Sequence, residues 1–471
     1  MNAEASTHDL SSSEKAMETF LKEFKAFQNP LERKQIPGMP SLPALKKMAQ
    51  SMGGESVDMS AGDIGDTGQP MNTNFIKKLD EVRDDLISDG HKGFEPRPGE
   101  VHGYPINYQQ DYPVVIEAVA KSLGITLPYK AIQTGSGRSL LENILNGWEK
   151  LAETNGTNGQ KVIVVDPLAW PGLSELADDL RIQTLYMPVS EGHSLGASPE
   201  GLKKALAFAR KKNISPIGIY TISPSNPSGL TLSPELLAKM IKLAAKHKIP
   251  LMQDGFYAPL HPEGHQNAIP MKYLEEKLTP EELQYFGIAI GTTKVIGSNE
   301  KTAEAFWMAP KGYEAVATGI IGEATKKKLK RNNYPHPDHA LATLALHRYG
   351  IHEAMGDRYT AIETQRKAIR DLCDELGLGL TIGDSFYGVA ALVKDGKSLI
   401  RDNESRPITD PSQAVNTLAK KYGLVGAPGP LFRPENEAAV LLRLTAASTA
   451  EKIQKLKEIL AQMITNVERY A

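Results

Sequence analysis

Three segments of this chain carry side chains whose type and position can do chemistry. The first, IGIYTISPSNPSG (217–229), is an apolar strand running into a Ser, Asn and Pro cluster. That puts Asn226 at the carboxyl end of a strand, where ligands sit in open α/β sheets, although a plain turn before the next helix gives the same pattern. In the second, the apolar run IPLMQ leads straight into Asp254, followed by Gly255, Phe256 and Tyr257. A carboxylate ending a buried strand is costly unless a cation or a strong donor meets it, so Asp254 is expected to have a partner; capping the next loop is the plainer role. In the third, FGIAIGTTKVIGSN, Lys294 follows an apolar strand and two threonines. A lysine desolvated at a strand end can lose its proton and become an imine-forming nucleophile, though most lysines are solvated surface groups.

Three further features add to these. Thr134-Gly135-Ser136-Gly137-Arg138 precedes an apolar-periodic helix (Leu140, Leu141, Ile144, Leu145). Small residues there let the N–H groups of the helix start approach a phosphate, which the positive end of the helix favours. The run lacks the Gly-Lys-Ser/Thr ending of a nucleotide P-loop, which disfavours that rival. Trp170, in the loop after the strand Val162 to Val165, can stack on a flat ring or simply fill the core. Arg443 lies in the apolar run 438–444, where a guanidinium is expected to have a partner rather than stay unpaired in solvent; Arg433 is the other arginine of this stretch. The 11 histidines show no H-E-x-x-H or comparable ligand spacing, so no metal is expected.

The order Asn-Pro-Ser-Gly, then strand-Asp-x-x-Tyr, then strand-x-x-Lys resembles the fold-type I pyridoxal 5′-phosphate (PLP) enzymes, specifically the class I/II aminotransferase family. The resemblance covers roughly Val57 to the C-terminus and implies roles residue by residue. Asn226 and Tyr257 would hold the cofactor's phenolic oxygen, Asp254 its pyridinium nitrogen, and Lys294 would form the Schiff base. Gly135, Ser136 and Gly137 would form the phosphate cup and Trp170 would stack on the ring. Arg443, in the stretch GAPGPLF…RLT, would grip the substrate α-carboxylate with the two-point fork that only a guanidinium supplies, and it is preferred to Arg433 for that role. Gly62, in SAGDIGDTG, sits where the family has a substrate-touching loop, and Tyr104 or Tyr108 would reach the neighbouring subunit's phosphate. The chain also departs from the pattern. Gly291 and Thr302 stand where a Ser and a phosphate-binding Arg are usual, and Asp111 and Ile116 where Gly and Arg are. Lys301 can substitute as the cation, with Thr292 and Thr293 supplying hydroxyls. An alignment making Lys301 the Schiff-base lysine, with Ser298 before it, is rejected because it leaves too short a loop to Pro310.

Elements with the right spacing are present to position these residues. From Val162 onward, short β-rich runs (Val162 to Val165, Ile182 to Met187, Ile217 to Ile222, Pro250 to Gln253, Phe286 to Ile290) alternate with helical periodicity, which argues for a parallel α/β sheet. A helix is predicted over Ser233 to His247, and another to Tyr470 opened by a Ser448/Glu451 capping box. The first fifty-odd residues read as a charged helix (Ser13 to Phe27) and a proline-broken lead-in without strand signal. The expected fold is therefore α/β: a three-layer α/β/α large domain with a mostly parallel sheet, and a smaller α+β domain built from the C-terminal third and the N-terminal segment. The bounds are 1–56 for the arm, 57–335 for the large domain and 336–471 for the small one.

Composition limits the function classes. With 471 residues, 41% apolar and 23% charged, most of the chain can bury a core. A net charge of −2 gives no electrostatic footprint for nucleic acid or anionic membrane, leaving small molecules as the expected partners. A single cysteine, the absence of a signal-peptide pattern and the absence of an apolar run near membrane-span length predict a cytoplasmic protein. The expected activity is PLP-dependent transfer of an amino group between an α-amino acid and a 2-oxo acid, in a homodimer with its active site at the interface. A lyase or decarboxylase on the same fold is the alternative.

Overall fold

Alternating strand and helix periodicity produces a doubly wound sheet in a computed structural model that describes residues 10–33, 36–51, 56–60, 67, 73–91, 112–134, 137–157, 159–190, 195–291, 294, 303–307 and 337–469. The central sheet runs in the spatial order Leu31–Glu32, Gln183–Tyr186, Lys161–Val165, Ser215–Ile222, Leu251–Asp254, Phe286–Gly291, Ala303–Trp307, Lys130–Thr134. The five expected strands are all present within two residues of the expected bounds, and they pair in parallel. Three further strands complete the sheet: Leu31–Glu32 at one edge, Lys130–Thr134 at the other, and Ala303–Trp307 running antiparallel between Phe286–Gly291 and Lys130–Thr134.

Helices flank this sheet because their apolar faces match it. Pro234–His247 starts where Ser233 accepts the Leu236 N–H and stops at Lys248 in the left-handed region, burying Leu237, Met240 and Ile241. Each such side chain contributes about 1.5–3 kcal/mol on leaving water. A second, antiparallel sheet holds Gly379–Ile382, Tyr387–Ala391, Leu441–Thr445 and Ala427–Pro428. The N-terminal helix Ser12–Glu23 packs on Gly379–Ile382, and Val57–Asp58 pairs in parallel with Leu424–Val425 as a separate two-stranded sheet. Among the described residues no helix is long and apolar enough to cross a membrane.

Three local expectations are corrected. The N-terminal helix ends at Glu23 and is opened by a Ser11/Glu14 capping box, with a short 3-10 turn over Lys25–Gln28. The lead-in does contain a strand: Leu31–Glu32 is held at the sheet edge by backbone pairing to Tyr186 and Leu185, and the Arg33 N–H donates to the Thr184 carbonyl. Finally, the C-terminal helix is capped by Thr449, whose hydroxyl accepts the Lys452 N–H, because Ser448 is buried and turns its hydroxyl toward Met59 Sδ.

A histidine pair lies beside the strand that ends at Gly291. His347 Nδ1 is 2.6 Å from Ser122 Oγ, His265 Nε2 is 2.8 Å from the Ser122 carbonyl oxygen, and the two rings meet edge to face. His347 is half-buried as a residue, but its imidazole is enclosed by these neighbours; desolvation, with His265 adding to it, pushes its pKa down to about 3. The unfolded chain therefore binds this proton below about pH 6.5 while the folded chain does not. Stability is undiminished above that pH and falls as pH drops through the window from about 6.5 to 3, by at most about 2 kcal/mol at pH 5. His347→Gln is expected to flatten the decline in melting temperature between pH 7.5 and 5; equal slopes for the two proteins would contradict it. Carboxyl groups with raised pKa act in the opposite sense in both proteins and cancel in the comparison.

Candidate active site

Four carboxyl ends of strands and one strand of the second sheet open onto a single cavity of about 720 Å³, whose walls include Gly137, Trp170, Asn226, Asp254, Tyr257, Lys294 and Arg443. The sheet itself brings these residues together. Asp254 is the last residue of its strand, Asn226 follows Ser215–Ile222, Lys294 follows Phe286–Gly291 and Trp170 follows Lys161–Val165. Arg443 arrives from Leu441–Thr445 in the other sheet.

Asp254 has the partners its burial demands. Its Oδ2 accepts the Tyr220 hydroxyl at 2.5 Å and its Oδ1 the Phe256 N–H at 3.0 Å. Burial nevertheless raises its pKa to about 6, with those two bonds and the charge of Lys294 opposing the rise. Asp166, after the neighbouring strand, is pushed to about 7, mainly by burial and further by the charge of Asp254; its Oδ2 accepts the Ile222 N–H at 2.9 Å.

Asn226 links the two sheets. Its amide nitrogen donates to the Tyr257 hydroxyl at 3.4 Å, and its carbonyl oxygen accepts from Arg443 Nη1 at 2.9 Å. Arg443 also donates to the Ser60 carbonyl and stacks 4.1 Å over the Tyr387 ring, yet its Nε is buried and has no hydrogen-bond partner among the described residues. An unmet donor on a buried guanidinium is expensive, and an anionic ligand at this wall would relieve it. The Asn226 turn is locked at Gly229, whose φ of +76° suits glycine and where a Cβ would sit 2.4 Å from the Tyr387 carbonyl oxygen. The Gly229 carbonyl in turn accepts the Asp384 N–H.

Other wall residues have local reasons. Gly137 begins the helix Gly137–Thr154, and a Cβ there would lie 2.8 Å from the Phe256 ring, so glycine lets that ring pack against the helix start. The Trp170 indole folds over Gly172 and remains half-buried at the cavity wall. Arg138 reaches the rim but pairs with Glu175. Arg433, the rejected alternative to Arg443, is fully buried, bonding Glu435 and the carbonyls of Pro167, Met187 and Asn29.

Residues 97–282 match the aminotransferase class I and II family. Over that stretch the chain is similar to the family. Members of that family depend on PLP, and PLP is the cofactor here. The fold agrees: an aspartate aminotransferase from Rhizobium meliloti superposes with a TM-score of 0.65 at 15% identity, covering 91% of this chain and 97% of that one. A double mutant of Thermus thermophilus aspartate aminotransferase gives 0.62 at 19% identity, covering 90% and 97%. Among curated proteins, 1-aminocyclopropane-1-carboxylate synthase 2 from Solanum lycopersicum is 27% identical over 123 residues, 23% of this chain and 25% of that protein. Mitochondrial alanine aminotransferase from Saccharomyces cerevisiae is 31% identical over 75 residues, 16% and 13% of the two chains. The matched stretches thus span a quarter or less of these curated relatives.

The donor set fits the cofactor of the aminotransferase family: a buried carboxylate, a hydrogen-bonded Asn and Tyr pair, an amine and an aromatic face surround one cavity. Gly62, Tyr104, Tyr108, Gly135, Ser136, Thr292 and Lys301 lie outside the described residues. Tyr220, Asp166 and Tyr387 were not anticipated.

Proposed function

We propose that this enzyme is a PLP-dependent aminotransferase that moves an amino group between an α-amino acid and a 2-oxo acid. The observation that carries the reading is the convergence of Asn226, Asp254, Tyr257, Lys294 and Arg443 on one cavity from elements far apart in sequence. PLP supplies the electron sink and the carbonyl carbon that takes up the amino group. Asp254 holds the proton at the cofactor's ring nitrogen, and Asn226 and Tyr257 bind its phenolic oxygen. Lys294 carries the cofactor, and its amine removes and returns the proton at the substrate Cα. Trp170 covers one ring face; Gly135, Ser136 and Gly137, with Thr292 and Lys301, bind the phosphate. Arg443 holds the substrate α-carboxylate, beside Asn226 and Gly62. We further propose that the chain divides into an N-terminal arm over 1–56, a large domain over 57–335 and a small one over 336–471, and that it works as a cytoplasmic homodimer in which Tyr104 or Tyr108 crosses the interface.

The test is a half-reaction: loaded enzyme mixed with each amino acid should release one equivalent of the matching 2-oxo acid. A lyase or decarboxylase reading keeps the same residues and is favoured by the similarity to the 1-aminocyclopropane-1-carboxylate synthase. Release of ammonia or carbon dioxide in place of the oxo acid would establish it instead.

Arg443 gives a graded check. Arg443→Lys keeps the charge and loses the fork, so kcat/KM for the amino donor should fall roughly thirtyfold, about 2 kcal/mol, mostly through KM. An unchanged KM would remove Arg443 from carboxylate binding.

A further inference from the structure

We propose that Tyr220 is a positioning residue that fixes the Asp254 carboxylate and keeps it ionised against the cofactor's ring nitrogen. The inference rests on the functional reading above, and it concerns a residue in the middle of a strand, where a phenylalanine would fill the same space.

The geometry is specific. In the parallel pairing, Tyr220 faces Met252 and Ile222 faces Asp254, so Tyr220 and Asp254 are diagonal neighbours on one face of the sheet. The hydroxyl donates to Oδ2 at 2.5 Å while the Phe256 N–H holds Oδ1, so each carboxylate oxygen has its own donor and rotation of the group would break both bonds. Tyr220 is almost fully buried and lines the cavity. A hydrogen bond to the charged form of an acid favours that form. Here it opposes a strong desolvation, and the lower the proton affinity of Asp254, the more firmly the shared proton stays on the ring nitrogen. The phenol itself cannot give its proton away: burial, with Asp254 and Asp166 nearby, holds its pKa well above the ordinary tyrosine value. Tyr220 is therefore a donor at any physiological pH.

The test is equilibrium dialysis of the apoprotein with PLP and with 1-deazapyridoxal phosphate, which has C–H in place of the ring nitrogen. Tyr220→Phe should weaken PLP binding roughly tenfold and leave the deaza analogue within about twofold. The ring-nitrogen shift of ¹⁵N-labelled PLP should move toward the unprotonated value in the variant. In an Asp254→Asn background, Tyr220→Phe should change PLP affinity by less than about twofold, because the charge it serves is gone. Equal weakening for both cofactors, no weakening for PLP, or a full tenfold loss in the Asp254→Asn background would each overturn the inference and leave the function standing. If folded wild-type protein binds neither cofactor, the functional reading falls and the inference with it.

Discussion

Lys294→Ala is expected to lower turnover by at least about 10⁴-fold while leaving the apoprotein folded. Lys294 sits where the strand Phe286–Gly291 releases the chain into the cavity, close enough for its charge to act on Asp254. Two functions are lost together. On the proposed function, the cofactor loses its covalent anchor and the substrate Cα loses the base that takes and returns its proton. Positioned general acid–base catalysis alone is worth about 10²–10⁴, so loss of the nucleophile as well puts the deficit at or beyond the upper end. Single-turnover measurement of oxo-acid release checks this, with added methylamine as a partial chemical rescue. A variant retaining more than about 1% of wild-type turnover would remove Lys294 from the chemistry.

Asp254→Asn should cost on the order of 10³ in kcat. The amide keeps the shape of the carboxylate and can still accept one of its two hydrogen bonds, but it cannot hold a positive ring nitrogen; the loss of one preorganised electrostatic partner at a developing charge is of this size. The raised pKa of about 6 adds a pH signature. Above that value the carboxylate is ionised and can stabilise the ring-nitrogen proton; below it the acid is neutral and that stabilisation disappears. PLP affinity of the wild type should therefore weaken as pH falls from 7 to 5, whereas Asp254→Asn should be nearly flat over the same range. Dialysis at three pH values distinguishes the two curves. A variant within tenfold of wild-type kcat, or parallel pH curves, would contradict the assignment.

The fold was legible where chemistry is local. Ser233 reads as a cap because Pro and Glu follow it and an apolar stripe begins, and the structure forms that cap. Asp254 was conspicuous because a carboxylate at the end of an apolar strand needs a partner. The partner was hidden: Tyr220 lies on another strand and looks like any core aromatic until the parallel register sets it diagonally across from Asp254. Ala303–Trp307 was illegible because alanines and a glutamate give it little strand propensity; pairing on both sides, to Phe286–Gly291 and Lys130–Thr134, overrides that. At Thr449 the error was one residue, since burial of Ser448 decides which hydroxyl is available and sequence spacing does not record it. Gly137 was read for a phosphate, and its packing against the Phe256 ring adds a second reason for glycine there.

The central claim is that this cavity carries PLP on Lys294, and covalent mapping tests it most directly. Protein loaded with PLP, reduced with borohydride and digested should yield one pyridoxyl-labelled peptide, with the label on Lys294 at close to one equivalent per chain. A label on Lys301 or another lysine, or no label on folded, PLP-treated protein, would contradict the account.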